Sequence, residues 1–237
     1  SALVGTEAGE NSIITFDMGG TTAKLGAVDD GIPAITPTFE VDPIRYRPGS
    51  GLPISVPAIE LLEIGAGGGS IARTEFGVIH IGPESAGADP GPICYGLGGQ
   101  RPTITDANLV LGYLNPNFFN GGAMTLNVEA AKVGIARDIG EPLELDIDRA
   151  AWGIHAVANA NMEKAMRIVS VERGRDPRRY SLVAFGGAGP VHAARLAKSI
   201  GIPKVVVPFG AGVGSAIGLL RAEPKIDTSI TRVLEVV

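Results

Sequence analysis

The chain has 237 residues, of which 45% are hydrophobic and 19% charged, and its formal net charge is −5. A chain of this length can bury the core of one large or two small domains, and an acidic balance without a dense Lys/Arg tract excludes a nucleic-acid surface. No apolar run approaches the roughly 20 residues that cross a bilayer. No secretory signal opens the chain, and its single cysteine, Cys94, allows no internal disulfide. We therefore expect a cytoplasmic location, without a nucleic-acid or membrane partner.

The first predicted elements are two strands joined by a glycine turn. Ile13, Ile14 and Phe16 predict a buried strand because β-branched and aromatic residues suit a covered pleated surface. Residues 23–28 predict a second strand, in which alternation places Lys24 and Gly26 on one face. The pattern is therefore a strand, a tight turn and a strand.

The turn carries the residue types that hold a phosphate and its metal. Gly19 and Gly20 lack a Cβ atom, so they can adopt positive φ and let an oxygen-rich ligand approach the main-chain N–H groups closely. Thr21 and Thr22 add hydroxyl donors, and Asp17 at the strand end could hold Mg²⁺ through water or orient a nucleophile. The predicted catalytic and metal-binding residue is Asp17. The predicted phosphate-binding residues are Gly19, Gly20, Thr21, Thr22 and Lys24. An ordinary Gly-Gly hairpin turn is the alternative.

The middle of the sequence predicts short strands followed by two helices. Residues 29–104 are rich in Gly and Pro, with β-like pieces at 32–41, 54–64, 70–73 and 77–81. Thr105 and Asp106 are predicted to cap a helix through Leu111, and Asn127 is predicted to cap another that spans 128–139. The glycine-rich loop at 65–70 fits either a ligand loop or a sharp sheet corner.

The last part of the sequence alternates helices and strands. We predict a long helix over 148–173, a strand over 181–185, a helix over 190–200 closed by Gly201, a strand over 204–207 and a helix over 213–220. This order favours a parallel sheet covered by helices.

A second glycine turn lies where the strand 181–185 ends and the next helix begins. Ligands bind at the carboxyl ends of strands in open α/β sheets, and a helix N-terminus there presents free N–H groups. Four residues are therefore predicted to contact the adenosine or a phosphate: Gly186, Gly187, Ala188 and Gly189. A turn that needs glycine only for packing is the alternative. His192, one turn into the helix, is predicted to be packed rather than catalytic.

Two further groups of polar side chains predict structure rather than chemistry. The spacings within the first group match no known zinc-binding pattern; its members are His80, Glu84, Asp89, Cys94 and Asp106. Four arginines follow the long helix, where cations complement its dipole: Arg173, Arg175, Arg178 and Arg179. Contact between these arginines and a nucleotide phosphate is the alternative.

Three blocks of the sequence resemble one known family. Asp17-Met-Gly-Gly-Thr-Thr-Ala-Lys24 is similar to the second phosphate motif of the hydantoinase A and 5-oxoprolinase family, a branch of the actin, sugar-kinase and heat-shock-chaperone ATPase superfamily. Residues 65–113 resemble its central region, and residues 184–220 resemble its nucleotide-binding end.

The resemblance implies a fold and a domain organisation. It implies an α/β fold with a ribonuclease-H-like, actin-like ATPase core formed by residues 1–30 and 140–237. Residues 31–139 would be a Gly/Pro-rich, largely β insertion that also contains helices. In that family a preceding domain carries a first phosphate hairpin, whereas this sequence contains one hairpin only. We therefore expect an excised domain or a short natural form that holds half of an ATP site and is inactive alone.

The resemblance also implies an activity. ATP with Mg²⁺ or Mn²⁺ would phosphorylate the carbonyl oxygen of a cyclic amide, such as hydantoin, N-methylhydantoin or 5-oxoproline, and so open its ring. The expected partners are the missing N-terminal half of the ATPase, a hydantoinase B-type subunit and the cyclic amide itself. Two alternatives remain open, a subunit of an acetone- or acetophenone-type carboxylase and a non-catalytic nucleotide-binding or regulatory module.

Overall fold

The computed structural model describes residues 1–41, 44, 49–222 and 230. The strands in this part of the chain are β1 (Ile13–Met18), β2 (Ala23–Asp29), β3 (Ile32–Pro33), β4 (Ile35–Thr36), β5 (Phe39–Val41), β6 (Leu52–Ile54), β7 (Ala58–Ile59), β8 (Leu61–Ile64), β9 (Ser70–Glu75), β10 (Val78–Ser85), β11 (Ser181–Phe185) and β12 (Lys204–Val206). The α-helices are α1 (Ala2–Glu7), α2 (Ile104–Val110), α3 (Val128–Ile135), α4 (Glu141–Leu143), α5 (Ile147–Val169), α6 (Gly189–Ile200) and α7 (Gly214–Leu220). None of these helices is both long and apolar enough to cross a membrane.

Six of the strands form one mixed sheet around β1. Strand β1 pairs antiparallel with β2 and parallel with β11, and β11 pairs parallel with β12. The other edge of β2 pairs with β8 along residues 23–26 and with β3 along residues 28–29. Helix α6 connects β11 to β12, which confirms the predicted mixed α/β class. Strands β3 and β8 come from the range 31–139, so this range adds two strands to the main sheet.

The two faces of the sheet are covered unequally. Ile14, Phe16 and Met18 point to one face and pack in the main hydrophobic core with α2, α5 and α6. Ile13 and Val28 point to the other face, where α1 covers them with Ala2 and Val4. The remainder of this second face is open beside Asp17, because the alternation of β1 places Asp17 opposite to the core.

Helix α5 contributes one of its faces to the main hydrophobic core. Six apolar side chains on one face of it are buried: Ile154, Ala158, Met162, Ala165, Met166 and Val169. The helix begins at Ile147, with the Asp146 carboxylate accepting the N–H of Arg149, and it ends at Val169. A short 3₁₀ turn then leads to Gly174, whose φ of 76° is left-handed, so the regular helix ends before the predicted end at residue 173.

The cap of α2 differs from the prediction. Its N-cap is Thr103, whose backbone is extended and whose side chain accepts the N–H of Asp106. Asp106 returns the bond by accepting the N–H of Thr103 over 2.8 Å, which completes a capping box. The prediction of a cap at Thr105 was therefore wrong, since Thr105 already lies within the first helical turn. The cap of α3 at Asn127 is confirmed by its bond to the N–H of Ala130.

Candidate functional site

Three loops meet at the carboxyl ends of the three parallel strands. They are the hairpin turn after β1, the glycine turn 186–189 after β11 and the loop 207–213, which leads from β12 into α7. The N–H of Ala188 donates to the carbonyl oxygen of Met18 over 3.0 Å, and the N–H of Gly186 donates to that of Ala211 over 2.9 Å. The two glycine turns that the sequence singles out are therefore in direct contact.

Three successive carbonyl oxygens of the hairpin turn are bonded to protein N–H groups. Met18 accepts from Ala188 as described, Gly19 accepts from Gly68 over 2.9 Å, and Gly20 accepts from Gly69 over 2.7 Å. Each of these bonds turns a carbonyl oxygen toward the protein.

The N–H groups of the same turn are mostly free. The N–H of Gly19 donates to Thr22 O over 3.1 Å, whereas the N–H groups of Gly20, Thr21 and Thr22 have no hydrogen-bond acceptor among the described residues. Gly20 and Thr21 are exposed. Successive free N–H groups of this kind form a concavity that suits an anion.

The glycines of the site are there for different reasons. Gly186 has a φ of 77°, and a Cβ atom on it would lie 2.1 Å from Met18 O, so the fold itself requires glycine. Gly19, Gly20 and Gly187 are not in the left-handed region, and a Cβ on any of them would meet nothing within 4 Å. Gly19 and Gly20 therefore do not use the positive φ that glycine permits. Their missing side chains instead leave open space in front of the turn.

The loop 65–70 clamps the hairpin. Its N–H groups bind the hairpin carbonyls, and a Cβ on Gly67 would lie 2.5 Å from the backbone of Gly20 and Thr21. Thr105, in α2, holds the loop in place, because both its N–H and its hydroxyl donate to Gly68 O over 2.8 Å. The loop therefore packs backbone against backbone and fixes the shape of the turn.

The hairpin separates two clefts. The first, which we call the glycine cleft, has a volume of ≈ 130 Å³. Its polar wall is formed by Gly19, Gly20, Gly68, Gly69, Thr105, Asn108, Gly187 and Ala188. Its apolar wall is formed by Pro92, Tyr95, Leu114, Phe119 and Val191. The second, the open-face cleft, has a volume of ≈ 450 Å³ and lies on the uncovered face of the sheet.

The predicted site residues are divided between these two clefts. Gly19, Gly20, Gly187 and Ala188 line the glycine cleft, whereas Asp17 and Lys24 line the open-face cleft. The other predicted residues line neither: Thr21, Thr22, Gly186 and Gly189. The hairpin turn lies where the two clefts approach each other, so a ligand on the turn could reach both.

Asp17 is the carboxylate nearest to the turn along the chain. It is half-buried, and its Oδ2 accepts the hydroxyl of Ser215 over 3.1 Å. Lys24 lies opposite Asp17 in the strand register. Its ammonium group is 3.0 Å from Glu63 Oε1 and donates to Thr22 Oγ1 over 3.1 Å, so it is already paired within the protein.

The fit to Mg²⁺ depends on this single carboxylate. The described residues contain no group of three or more His, Cys, Asp or Glu side chains that could hold a metal ion. Mg²⁺ is commonly held by one or two carboxylates together with substrate phosphates and water. Asp17 therefore fits a metal ion that arrives with a nucleotide, and it does not fit a site made by protein ligands alone.

Other side chains with potential chemistry have structural roles. Asp106 accepts the N–H groups of Cys94 and Thr103, both over 2.8 Å, and burial raises the pKa of the Cys94 thiol. Arg175 binds both carboxylate oxygens of Asp29, with a shortest distance of 2.7 Å. Asp29 is at the far end of β2 from the turn, about 20 Å along the strand. A phosphate contact of Arg175 at the hairpin is therefore excluded.

No sequence pattern described above pointed to Ser215 as a site residue or to a buried polar cluster. Ser215 follows β12, so the rule that ligands gather at strand carboxyl ends could have pointed to it. The cluster comprises Asn108, His155, Asn159 and His192. His155 and Asn159 interrupt the apolar stripe of α5 one turn apart, which is the signal that could have revealed it.

Comparison with known proteins gives matches over nearly the whole chain. The sequence model described as Hydantoinase/oxoprolinase matches residues 1–228. The caprolactamase subunit alpha of Pseudomonas jessenii is 43% identical, over 94% of this chain and 31% of that protein. 5-Oxoprolinase 1 of Arabidopsis thaliana is 33% identical, over 90% of this chain and 17% of that protein.

Two solved structures share the architecture. The nucleotide-free structure of acetone carboxylase, from work on ATP-dependent acetone carboxylation, matches with a TM-score of 0.80 and 30% identity, over 92% of this chain and 30% of that chain. The crystal structure of the ATP-dependent caprolactamase from Pseudomonas jessenii matches with a TM-score of 0.78 and 42% identity, over 91% of this chain and 30% of that chain. This chain therefore spans about a third or less of the length of these relatives.

Proposed function

Because this chain belongs to the hydantoinase/oxoprolinase family, we propose that it provides one half of an ATP site in an enzyme that opens a cyclic amide. Relatives named caprolactamase and 5-oxoprolinase support this reaction class. The candidate substrates are hydantoin, N-methylhydantoin, 5-oxoproline or a similar lactam. The cofactors are ATP and Mg²⁺ or Mn²⁺.

One observation carries the proposal. The hairpin turn directs its carbonyl oxygens to protein N–H groups and leaves the N–H groups of Gly20, Thr21 and Thr22 free among the described residues. A turn that served only to reverse the chain would not need its carbonyls held in this way. Free N–H groups beside glycines without neighbours suit the phosphates of a nucleotide.

The sheet supports a ribonuclease-H-like core of the actin-like ATPase type. An antiparallel pair, β1 and β2, is followed by the parallel strands β11 and β12, with α6 as the crossover. A nucleotide at the carboxyl ends of these strands would lie against the 186–189 turn. The division into a core of residues 1–30 and 140–237 and an insertion of residues 31–139 remains our prediction.

The chemistry requires activation of an unreactive carbonyl group. Transfer of the γ-phosphoryl group of ATP to the lactam oxygen releases ADP and makes the ring carbon electrophilic. Water then adds to that carbon, the ring C–N bond breaks, and the resulting acyl phosphate is hydrolysed by a second water to phosphate and the open amino acid. The metal ion, when bound, neutralises charge on the phosphates.

The chain's own contribution is positioning. The free N–H groups of the turn and the hydroxyls of Thr21 and Thr22 would bind phosphate oxygens, and Asp17 would orient a metal-bound or attacking water. Ser215 would hold the Asp17 carboxylate through its hydroxyl. Lys24 would take part only if a ligand displaced Glu63 from it.

The remaining parts of the reaction would come from outside this chain. The relatives are at least about three times longer than the chain, and caprolactamase is named as having a subunit alpha. We infer that a first ATPase half closes over the nucleotide and that a B-type subunit completes the reaction, so that this chain alone does not turn over. Calorimetric titration of Mg-ATP into this chain, with and without the rest of the protein, tests both points. No heat of binding in either case would contradict the ATP site.

A carboxylase subunit is the second candidate, and the fit to acetone carboxylase favours it. Both reactions would begin with phosphorylation of a carbonyl oxygen. Product analysis with labelled bicarbonate separates them, because label in the product identifies a carboxylase and an unlabelled, ring-opened product identifies a hydrolase.

A further inference from the structure

Four polar side chains form a buried cluster beneath the glycine cleft. They are Asn108 from α2, His155 and Asn159 from α5 and His192 from α6. Their exposed fractions are 2%, 2%, 5% and 0%, so each must find its hydrogen bonds inside the protein. His192 is at the centre of the cluster, with its two ring nitrogens facing the two asparagines.

The position of Asn159 determines the proton on His192. Asn159 Nδ2 donates to His155 O over 2.7 Å, and the same nitrogen lies 3.1 Å from His192 Nδ1. If the Asn159 amide were turned over, its oxygen would take the place of Nδ2, 2.7 Å from His155 O. Two acceptor oxygens at that distance repel each other. His192 Nδ1 must therefore accept from Asn159, and the ring proton belongs on Nε2.

The proton on Nε2 determines the orientation of Asn108 in turn. The structure places Asn108 Nδ2 3.2 Å from His192 Nε2 and Asn108 Oδ1 2.8 Å from His155 Nδ1, so a proton on Nε2 makes two donors face each other. Turning the Asn108 amide over, so that its oxygen faces His192 and its NH₂ group faces His155, removes this conflict. The hydrogen bonds run in one direction, from Asn159 to His192, from His192 to Asn108 and from Asn108 to His155.

The cluster connects both walls of the glycine cleft. Asn108 itself lines the cleft. Thr105, in the first turn of the same helix, donates its hydroxyl to Gly68 O and so holds the loop 65–70, which binds the hairpin. Helix α6, which carries His192, is preceded by Ala188, whose N–H holds Met18. A change at His192 would therefore reach the hairpin along two routes, one through α2 and one through α6.

We propose that His192 is a positioning residue for the glycine cleft, which it serves by fixing the amide orientation of Asn108 and holding α2 and α6 in register beneath the hairpin. His192 does not line the cleft. Its effect on nucleotide binding rests on the proposed ATP site, whereas its effect on the geometry of the cleft does not.

Two similar substitutions separate this role from general packing. His192→Gln keeps a donor near the Nε2 position, facing Asn108, whereas His192→Asn keeps a polar group only near the Nδ1 position, facing Asn159. Loss of one partner of a buried hydrogen bond costs about tenfold in an equilibrium constant. We expect His192→Asn to weaken Mg-ATP binding about tenfold and His192→Gln to weaken it by about threefold or less. The control is Lys198→Gln, an exposed position on the same helix, which should bind as the parent does.

Nuclear magnetic resonance of the chain without nucleotide provides the independent measurement. We expect ¹⁵N shifts that place the His192 proton on Nε2, and His192→Asn should move the amide signals of Gly68 and Ala188. A proton on Nδ1, or amide signals unchanged in His192→Asn, would overturn the inference. If the parent chain binds no Mg-ATP either alone or with the rest of the protein, while both expected results are seen, the ATP site fails and the positioning role stands.

Discussion

The N–H of Ala188 donates to the carbonyl oxygen of Met18 over 3.0 Å and so joins the loops at the ends of two adjacent parallel strands. This bond and the two bonds from Gly68 and Gly69 hold three successive carbonyl oxygens of the hairpin turn. Because the carbonyls are fixed, the N–H groups that follow are presented in one arrangement before any ligand arrives. A preorganised set of donors costs little to reorganise at binding.

The first prediction concerns the open space at Gly20. Gly20→Ala places a methyl group where nothing lies within 4 Å, so folding stability should change little, whereas a phosphate on the turn would be displaced. We expect Mg-ATP binding to weaken tenfold or more by calorimetric titration. Gly212→Ala is the matched control, because Gly212 is equally unhindered and lines neither cleft. Equal affinities of the two variants would remove the hairpin from the site.

The second prediction concerns the pair formed by Asp17 and Ser215. Asp17→Asn keeps the shape of the side chain but removes its charge, and we expect turnover of the assembled enzyme to fall on the order of 100-fold or more. Ser215→Ala removes only the hydroxyl that holds the carboxylate, so a loss of about tenfold is expected. The measurement is ADP release in the presence of the cyclic amide. A loss for Ser215→Ala as large as that for Asp17→Asn would contradict an orienting role and indicate direct contact with the ligand.

The local parts of this site could be predicted from the sequence, whereas the contacts between distant segments could not. The strand before Asp17 and the turn before Pro190 follow from short patterns of apolar residues and glycine, since each element depends on its own residues. The clamp by Gly68 and Gly69 joins positions almost fifty residues apart, and no local pattern encodes such a contact.

The division of the site between two clefts was only partly accessible to sequence reasoning. Alternation along β1 places Phe16 in the core and Asp17 on the opposite face, so their separation follows from a period of two. Which face is left open could not be deduced in this way, because it depends on how far α1 extends over the sheet.

The third prediction tests the core beneath the site. Met162 is fully buried in α5, and Met162→Ala should lower the free energy of unfolding by about 2–5 kcal/mol through lost contacts and a cavity. Urea unfolding followed by circular dichroism measures this change. Lys164→Ala on the exposed face of the same helix should change the free energy by no more than about 0.5 kcal/mol. A small effect at Met162 would mean that α5 is not packed as described.

The fourth prediction is that the fold loses stability in mild acid through its two buried histidines. Burial lowers the pKa of His192 to about 3 and that of His155 to about 4, with a smaller contribution from His155 to the first and from Arg195 to the second. Their rings stack at 4.7 Å, so two positive charges there would repel. Both side chains are therefore neutral when folded at pH 6, whereas an unfolded chain with an ordinary pKa near 6.5 takes up protons.

The sign of the pH effect follows from this difference. Between pH 6.5 and the lowered pKa values the unfolded state binds more protons, so stability is fully present above pH 6.5 and falls as the pH decreases, by up to about 1.4 kcal/mol per pH unit for each histidine. Urea midpoints measured from pH 7.5 to pH 5 should show this slope before the acidic side chains begin to titrate. His192→Phe should reduce the slope, while His80→Asn, a change at an exposed histidine, should leave it intact. A flat profile in the parent chain would show that the buried pair accepts a proton without cost.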